Sequence, residues 1–269
     1  MDGKHLILIG IMLLLINFSG CIDELTQPAT TTVPQDLDSM ISIACWNLQI
    51  FGPSKAANIS LLNYYAENLA PYDIFIIQEI RDASGTAIET LSTYFPDHDY
   101  IISARAGQSS SKEQYAFFYT SEVTIQEVID HQQYYQDTMQ RPPLQVILTV
   151  NNWTATIYTV HTQPDRVTED LHIVEDIIGS PTGDIMVIGD LNADGIYYDE
   201  DTLQHFIDWQ WVTSNMIDTT VAPSNNTYDR IIINQEMSNN YLSSGIMDDV
   251  TTDQSDHYLV YGIFSTDHP

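Results

Sequence analysis

The stretch Gly189-Asp190-Leu191-Asn192-Ala193-Asp194 follows the apolar run Ile185-Met186-Val187-Ile188. An apolar run this short, bounded by turn residues, predicts a buried β-strand. An acid and an amide therefore follow the strand end directly, where side chains of neighbouring strands can converge on a ligand held above the sheet. Because Asp and Asn also occur in ordinary turns, the stretch has to be weighed together with other segments of the chain.

Four further segments place acids, amides or histidine beside an apolar strand. They are Trp46-Asn47, Gln78-Glu79, Val160-His161-Thr162 and Ser255-Asp256-His257. Taken singly, an acid at a strand end is more often a turn residue, and an Asp-His pair more often lies on the surface. Five such segments in one domain make chance a poor explanation. Carboxylate and amide oxygens suit a hard cation, and histidine suits proton transfer near neutral pH, so the set predicts a metal-dependent phosphodiesterase site.

The N-terminal segment has the pattern of an exported protein. Lys4 and His5 precede an apolar run, 6–16, of about eleven residues, whereas a membrane span needs about 20. We interpret residues 1–20 as a signal peptide and Cys21 as a lipidation site, the alternative being an ordinary cleavage site with a chance cysteine. Residues 21–39 are rich in Thr and Pro and predict a disordered tether. Residues 40–266 then form one catalytic domain.

Acidic residues dominate the composition. The formal net charge is −29, from 8 Lys+Arg against 37 Asp+Glu. This excess indicates either adaptation to a salty medium or a site rich in cation-binding acids, but only a few of the acids can be ligands. Few cations are available to neutralise phosphates, which argues against tight non-specific binding of nucleic acid but permits a transient contact in salt. The second cysteine, Cys45, lies in an apolar strand, so no internal disulfide is expected.

Strands and helices alternate along the domain, which predicts two packed sheets covered by helices. Pro53 opens the first predicted helix, whose inward face carries Ile59, Leu62 and Leu69. Four histidines in polar or helical stretches are predicted to lie on the surface: His98, His131, His172 and His205. The predicted strands are 41–46, 74–77, 115–119, 144–150, 154–160, 185–188, 231–233 and 258–264, and the other helices are 87–94 and 167–178.

The domain resembles the deoxyribonuclease I branch of the endonuclease/exonuclease/phosphatase superfamily over nearly all of residues 40–264. The segments that carry the resemblance are 46–52, 76–82, Lys112-Glu113-Gln114-Tyr115, 189–194, 218–220, Tyr228-Asp229-Arg230-Ile231 and Ser255-Asp256-His257-Tyr258. The resemblance implies an α+β fold, a four-layer α/β/β/α sandwich. It also implies hydrolysis of phosphodiesters with Mg²⁺ (or Mn²⁺), with Ca²⁺ as a further ion, leaving 5′-phosphate ends.

The resemblance also implies roles for individual residues. His161 would pair with Glu113 and His257 with Asp229, one pair activating water and the other protonating the leaving O3′; which does which stays open. By the same resemblance, Asp190 and Asn192 would lie beside the phosphate, and Glu79, Asn47 and Asp256 would be metal ligands. Asp218 and Thr220 would belong to a calcium-binding loop. Arg81 would contact the minor groove of DNA, and Arg141 would contact a backbone phosphate.

Four departures from the family pattern concern DNA contacts, a disulfide and calcium binding. Gln49 stands where the family has a DNA-contacting arginine, and Ser111 replaces a tyrosine that stacks on the sugar. Gly195 occupies a position that is a disulfide cysteine in the family. Beyond Asp218 and Thr220 the calcium loop continues with Ala222 and Ser224.

These observations predict an exported, membrane-anchored endodeoxyribonuclease. It would contact duplex DNA transiently through the minor groove, act as a monomer, and lie at the extracellular face of the membrane or be secreted. The alternative within catalysis is a phosphatase or phospholipase acting on a phosphorylated small molecule or a lipid headgroup. A non-catalytic binding module on the same fold would have lost a central residue, whereas Glu79, both histidines and both partner acids are present.

Overall fold

A computed structural model describes residues 39–108, 111–180, 182–199, 202 and 204–267. The predicted signal peptide, Cys21 and all of the tether except Ser39 lie outside these residues. Within them, no helix combines the length and hydropathy of a membrane-spanning segment.

The elements follow one another in mixed order along the chain. The helices are α1 (Pro53–Ala56), α2 (Ile59–Leu69), α3 (Thr86–Ser92), α4 (Gln132–Tyr135), α5 (Val167–Ile178) and α6 (Gln235–Ser238). The strands are β1 (Met40–Phe51), β2 (Ile74–Ile80), β3 (His98–Ile102), β4 (Gln114–Thr120), β5 (Thr124–Asp130), β6 (Leu144–Val150), β7 (Trp153–Thr159), β8 (Asp184–Asp190), β9 (Gln210–Trp211), β10 (Asp229–Ile233), β11 (Tyr241–Met247) and β12 (Leu259–Ser265).

The strands form two six-stranded sheets with the orders β11-β12-β1-β2-β4-β3 and β5-β6-β7-β8-β10-β9. Each sheet contains one parallel pair, β1 with β2 and β7 with β8, and its other pairs are antiparallel. Parallel neighbours end at the same edge of a sheet. Each sheet therefore brings two consecutive strand ends to one place.

Three apolar clusters give the layering. The central cluster joins both sheets and includes Phe117 from the first and Ile188 from the second. Leu62 of α2 packs with Phe75 on the outer face of the first sheet, and Leu171 of α5 packs against the outer face of the second. Both sheets are thus buried on both faces, which confirms the four-layer α/β/β/α sandwich.

The structure corrects several details of the predicted elements. Pro53 opens only the four-residue α1, and Asn58 begins α2 by accepting a hydrogen bond from Leu61 N at 3.2 Å. Ile59 is consequently not part of the inward face, since 67% of it is exposed. Cys45 is buried with a free thiol, as expected.

The prediction that four histidines lie on the surface holds only for His172. His131 and His205 are buried and His98 is half-buried. Each of these three has a polar partner: Gln145 Oε1 lies 2.9 Å from His131 Nε2, Glu175 Oε2 lies 2.7 Å from His205 Nδ1, and Tyr72 O lies 2.9 Å from His98 Nε2. A polar sequence context does not reveal such pairing, because the partners come from elsewhere in the chain.

Candidate active site

The first sheet brings Asn47 and Glu79 to one edge, because β1 and β2 are parallel and Asn47 lies in register with Gln78. Glu79 has a φ of +61°, which interrupts the regular pairing of β2 with β4. Its side chain therefore departs from the alternation of side chains between the two faces of the sheet. Non-glycine residues in this region of φ are uncommon and often occur at functional sites. The Asn47 Nδ2 atom lies 3.3 Å from Glu79 Oε1 and 3.1 Å from Asp190 Oδ2.

The second sheet supplies His161 and Asp190 in the same way, since β7 and β8 are parallel and end side by side. Gln78 joins the two sheets at this point: its Nε2 donates to Val160 O at 2.8 Å and its Oε1 accepts from Asp190 N at 2.9 Å. Gly189 leaves room for this bridge. A Cβ there would lie 1.9 Å from Val160 O, and the φ of Gly189 is +148°.

Two histidine–carboxylate pairs face each other across Asp190. His161 Nδ1 lies 3.1 Å from Glu113 Oε2, and His257 Nδ1 lies 2.8 Å from Asp229 Oδ2. The two Nε2 atoms point the other way and lie 3.3 Å and 3.4 Å from the same Asp190 Oδ2. Each ring is therefore fixed at one nitrogen and presents the other to a common point.

Opposing effects set the ionisation of these buried groups. Burial raises the pKa of Glu113, but His161 and Arg141 outweigh it and lower the pKa to about 2. Burial lowers the pKa of His257, but the carboxylates of Asp229 and Asp190 outweigh it and raise the pKa well above its ordinary value. Burial raises the pKa of Asp229. The site therefore depends on ion pairing inside the protein to hold its charges.

Four residues could hold a divalent cation beside the histidine pairs: Glu79, Asn47, Asp190 and Asp256. In the described part of the chain, the Asp256 Oδ1 atom is buried and has no hydrogen-bond partner. Together with the carboxylates of Glu79 and Asp190, it offers the oxygen donors that a hard cation prefers. Coordination through Asn47 would require its amide to turn, because Nδ2 rather than Oδ1 faces Glu79 and Asp190.

The two predicted DNA-binding arginines differ in placement. Arg81 lies at the rim with 25% of its side chain exposed, and its Nη2 is 2.9 Å from Glu79 Oε2. Arg141 is buried: Nη1 donates to Glu113 Oε1 at 2.7 Å and Nε donates to His161 O at 2.8 Å. Its third nitrogen donates to Thr162 O. The guanidinium is thus turned inward and holds the Glu113–His161 pair, and the phosphate contact of Arg141 stays a prediction.

The remaining predicted residues occupy the neighbouring loops. Asn192 has a φ of +47°, and its Nδ2 donates to Thr162 O at 3.2 Å. Asp218 Oδ1 accepts from Thr220 N at 3.0 Å and from Asn226 N at 3.2 Å. The backbone of Thr220 also forms an isolated antiparallel β-bridge with that of His257, which places this loop beside the histidine. Its binding of calcium stays a prediction.

Sequence reasoning missed the residues that support the site from behind. Tyr115 Oη accepts from His161 N at 3.0 Å and donates to Arg141 O at 3.2 Å. Ser255 Oγ donates to Asn47 O and accepts from His257 N at 3.1 Å, and Trp46 Nε1 donates to His257 O at 2.8 Å. Ser255 and Trp46 adjoin predicted site residues, which was the available signal, but their partners are distant in sequence.

A family model, that of the Endonuclease/Exonuclease/phosphatase family, matches residues 44–266. The chain belongs to this family. Membership of this family, together with similarity to proteins named deoxyribonuclease-1, shows that the chain is a hydrolase of the phosphodiesterase or nuclease type.

Curated relatives include two mammalian proteins named deoxyribonuclease-1. The human protein is 27% identical over 82% of this chain and 90% of its own length. The rat (Rattus norvegicus) protein is 30% identical over 84% of this chain and 82% of its own.

Solved structures of other proteins share the fold of this chain. D. rerio TDP2 complexed with single strand DNA product has a TM-score of 0.65 and 16% identity, covering 84% of this chain and 99% of that one. A mannosyl-6-phosphatase of Bacteroides thetaiotaomicron has a TM-score of 0.62 and 16% identity, covering 82% and 98%. At these identities the likeness concerns the fold alone.

Proposed function

We propose that this chain is an exported, membrane-anchored, metal-dependent endodeoxyribonuclease that hydrolyses DNA to 5′-phosphate ends by acid–base catalysis with two histidines. One observation carries the proposal: the Nε2 atoms of His161 and His257 lie 3.3 Å and 3.4 Å from Asp190 Oδ2, while a separate carboxylate holds each Nδ1. Phosphodiester hydrolysis needs a base on one side of phosphorus and an acid on the other, and two fixed imidazoles meet that need.

The reaction follows from this arrangement. One histidine accepts a proton from water at Nε2 while the water oxygen bonds to phosphorus. The P–O3′ bond breaks, and the other histidine donates its Nε2 proton to the departing O3′. Glu79, Asn47 and Asp256 would hold a divalent cation, either Mg²⁺ or Mn²⁺, which would neutralise charge at the phosphate. Asn192 extends the polar surface on the side of Asp190.

DNA is supported as the substrate by two findings. The curated relatives are named deoxyribonuclease-1, and a structure with the same fold holds a single strand DNA product. Arg81 adds a cation at the rim, where its Nη1 donates to Ser111 Oγ at 3.1 Å. An arginine at this place suits the narrow, negative minor groove of duplex DNA.

The location rests on the N-terminal sequence. The apolar run 6–16 and Cys21 support export and attachment by a lipid, with the domain on the extracellular face of the membrane. We propose a monomer whose partners are DNA and, through Cys21, the membrane. Loss of membrane association on Cys21→Ser, measured by fractionation of expressing cells, tests the anchor separately from catalysis.

The test of catalysis is nicking of supercoiled plasmid by the full-length chain, with Mg²⁺ and with EDTA. We expect metal-dependent nicking that falls by at least about 10³-fold in His161→Ala and in His257→Ala, since general acid–base catalysis contributes about 10²–10⁴-fold. His98→Gln is the matched control, because β3 pairs His98 with Thr120 at the end of β4 remote from Glu113.

The outcomes separate the proposed reaction from its alternative. Wild-type turnover in either histidine variant would contradict the mechanism. A folded chain that nicks nothing but releases phosphate from a phosphorylated sugar or a lipid headgroup would instead support the phosphatase or phospholipase reading of the same site.

A further inference from the structure

A second group of side chains that could ligate a metal joins α5 to the chain segment around His205, outside the proposed active site. His172 and Glu175 are three positions apart on this helix, which places them on one face. Possible ligand atoms of His172, Glu175 and His205 all lie within 4.8 Å of one another. The proposed hydrolysis uses none of these residues.

Glu175 ties the chain segment of His205 to the helix. One carboxylate oxygen lies 2.7 Å from His205 Nδ1, and the other accepts a hydrogen bond from Phe206 N at 2.6 Å. Phe206 has a φ of +51° and a buried ring, so the backbone beside His205 is held in an uncommon conformation. The imidazole of His205 is consequently held against α5, and a metal ion bound there would take the place of the proton between Nδ1 and Glu175 Oε2.

The side chains of His205 and His172 differ in exposure. Only 8% of the His205 side chain is exposed, and the ring nitrogen that faces the Glu175 carboxylate is Nδ1, which lies 2.7 Å from Oε2. His172 has 67% of its side chain exposed, and the two ring centroids are 6.3 Å apart. Ligand atoms around tetrahedral zinc are separated by about 3.3 Å, given metal–nitrogen distances near 2.0–2.1 Å, whereas the ligand atoms of this group lie within 4.8 Å of one another. Because His172 is exposed, its ring can rotate to close this difference.

We propose that His172, Glu175 and His205 form a binding site for a zinc-like transition-metal ion, with water as the fourth ligand. Two imidazoles and one carboxylate are a ligand set typical of Zn²⁺, whereas Mg²⁺ and Ca²⁺ prefer oxygen alone. The site therefore selects a different class of ion from the catalytic one. Bound metal would cross-link α5 to the segment around His205 and stabilise the folded chain, because the ion binds the folded form.

The test uses the full-length chain, stripped with a chelator and titrated with Zn²⁺ in excess Mg²⁺. We expect one zinc equivalent in the wild-type chain. In His172→Gln the zinc dissociation constant should rise by more than about 100-fold, which is the upper range for loss of a supporting contact. Because His172 is exposed, the variant should fold and keep its Mg²⁺-dependent nuclease activity. Substituting Co²⁺ should give the visible absorption of a tetrahedral site in the wild type and not in the variant.

Two further variants decide where the zinc binds. Glu79→Gln removes a predicted ligand of the catalytic cation and should leave zinc affinity unchanged, as should the matched histidine control His98→Gln. Unaltered zinc affinity in His172→Gln, or loss of the zinc equivalent in Glu79→Gln, would overturn the proposal. Either result can be told apart from failure of the proposed nuclease, because zinc affinity is measured without DNA.

Discussion

Single residues at the sheet edge determine whether the two histidines can face each other. Gln78 makes hydrogen bonds to the second sheet through both ends of its amide, and Gly189 leaves the space that this amide fills. Arg141 and Tyr115 hold the backbone and carboxylate behind His161. The side chains that we propose to react are few, and their positions depend on these neighbours.

Gly189→Ala should destabilise the protein severely. The new Cβ would lie 1.9 Å from Val160 O and 2.4 Å from Gln78 Nε2, at a φ of +148°. We expect a loss of at least about 2 kcal/mol in the free energy of unfolding, measured with urea, since overpacking and backbone strain add. Gly85→Ala is the control: its φ is +79° but nothing lies within 4 Å, so only strain of about 1 kcal/mol applies. Equal losses would refute the steric argument.

Arg141→Lys should act on turnover more than on substrate binding. A lysine cannot reproduce the fork that bonds Glu113 and two carbonyls, so Glu113 would hold His161 less firmly. We expect kcat for DNA to fall at least about tenfold with little change in KM. Arg81→Ala, at the exposed rim, should raise KM for duplex DNA and affect single strands less. The reverse pattern, with KM raised by Arg141→Lys, would support the predicted contact of Arg141 with a phosphate instead.

Among the strands and helices, the buried ones are those that the sequence pattern predicts. The central strands and α5 are predicted closely because their apolar patterns are continuous, and α5 matches its predicted bounds 167–178. The four strands that were missed, β3, β5, β9 and β11, are the outermost strands of the two sheets. Their side chains are mostly half-exposed, so they lack an apolar run to detect. Local sequence likewise indicated the reacting residues, but it could not place Arg141 inside or pair His205 with Glu175.

Helix α3 offers a test of a single element. Asp82 accepts hydrogen bonds from Ala87 N at 2.8 Å and Ser84 N at 2.9 Å, which lower its pKa from 3.8 to about 2. Asp82→Ala should reduce the free energy of unfolding by about 1 kcal/mol near neutral pH, because Asp82 accepts from Ala87 N in the first turn of α3 as an N-cap side chain would, the N-cap residue itself being Gly85.

The pH dependence of this effect follows from the sign of the shift. The lowered pKa means that the ionised cap stabilises the folded state fully above pH 3.8, and this contribution disappears as the pH falls through about 2. Thermal melts of the wild type and Asp82→Ala should therefore converge as the pH falls across that range. Asp97→Ala, at an exposed aspartate, should follow the wild type throughout, and a gap that stays constant with pH would contradict the capping role.

Charge acts at the scale of the whole molecule. With a net charge of −29, the protein repels DNA at low ionic strength, and salt screens that repulsion before it weakens the contact of Arg81. We expect plasmid nicking to rise with added NaCl and then fall. A small diester with one negative charge serves as the control substrate, and its hydrolysis should vary far less. A steady decline in nicking from the lowest salt onward would refute the screening argument.

The division of the site between two sheets has a consequence for the newly synthesised chain. Asn47 and Asp190 meet across 143 positions of sequence, and Trp46 and His257 across 211. Neither half of the chain holds a working set of groups, so an emerging or partly unfolded polypeptide is inert. The proposed nuclease would thus stay harmless to the DNA of the cell that makes it until the last long-range contact forms. Activity would then report the completion of folding.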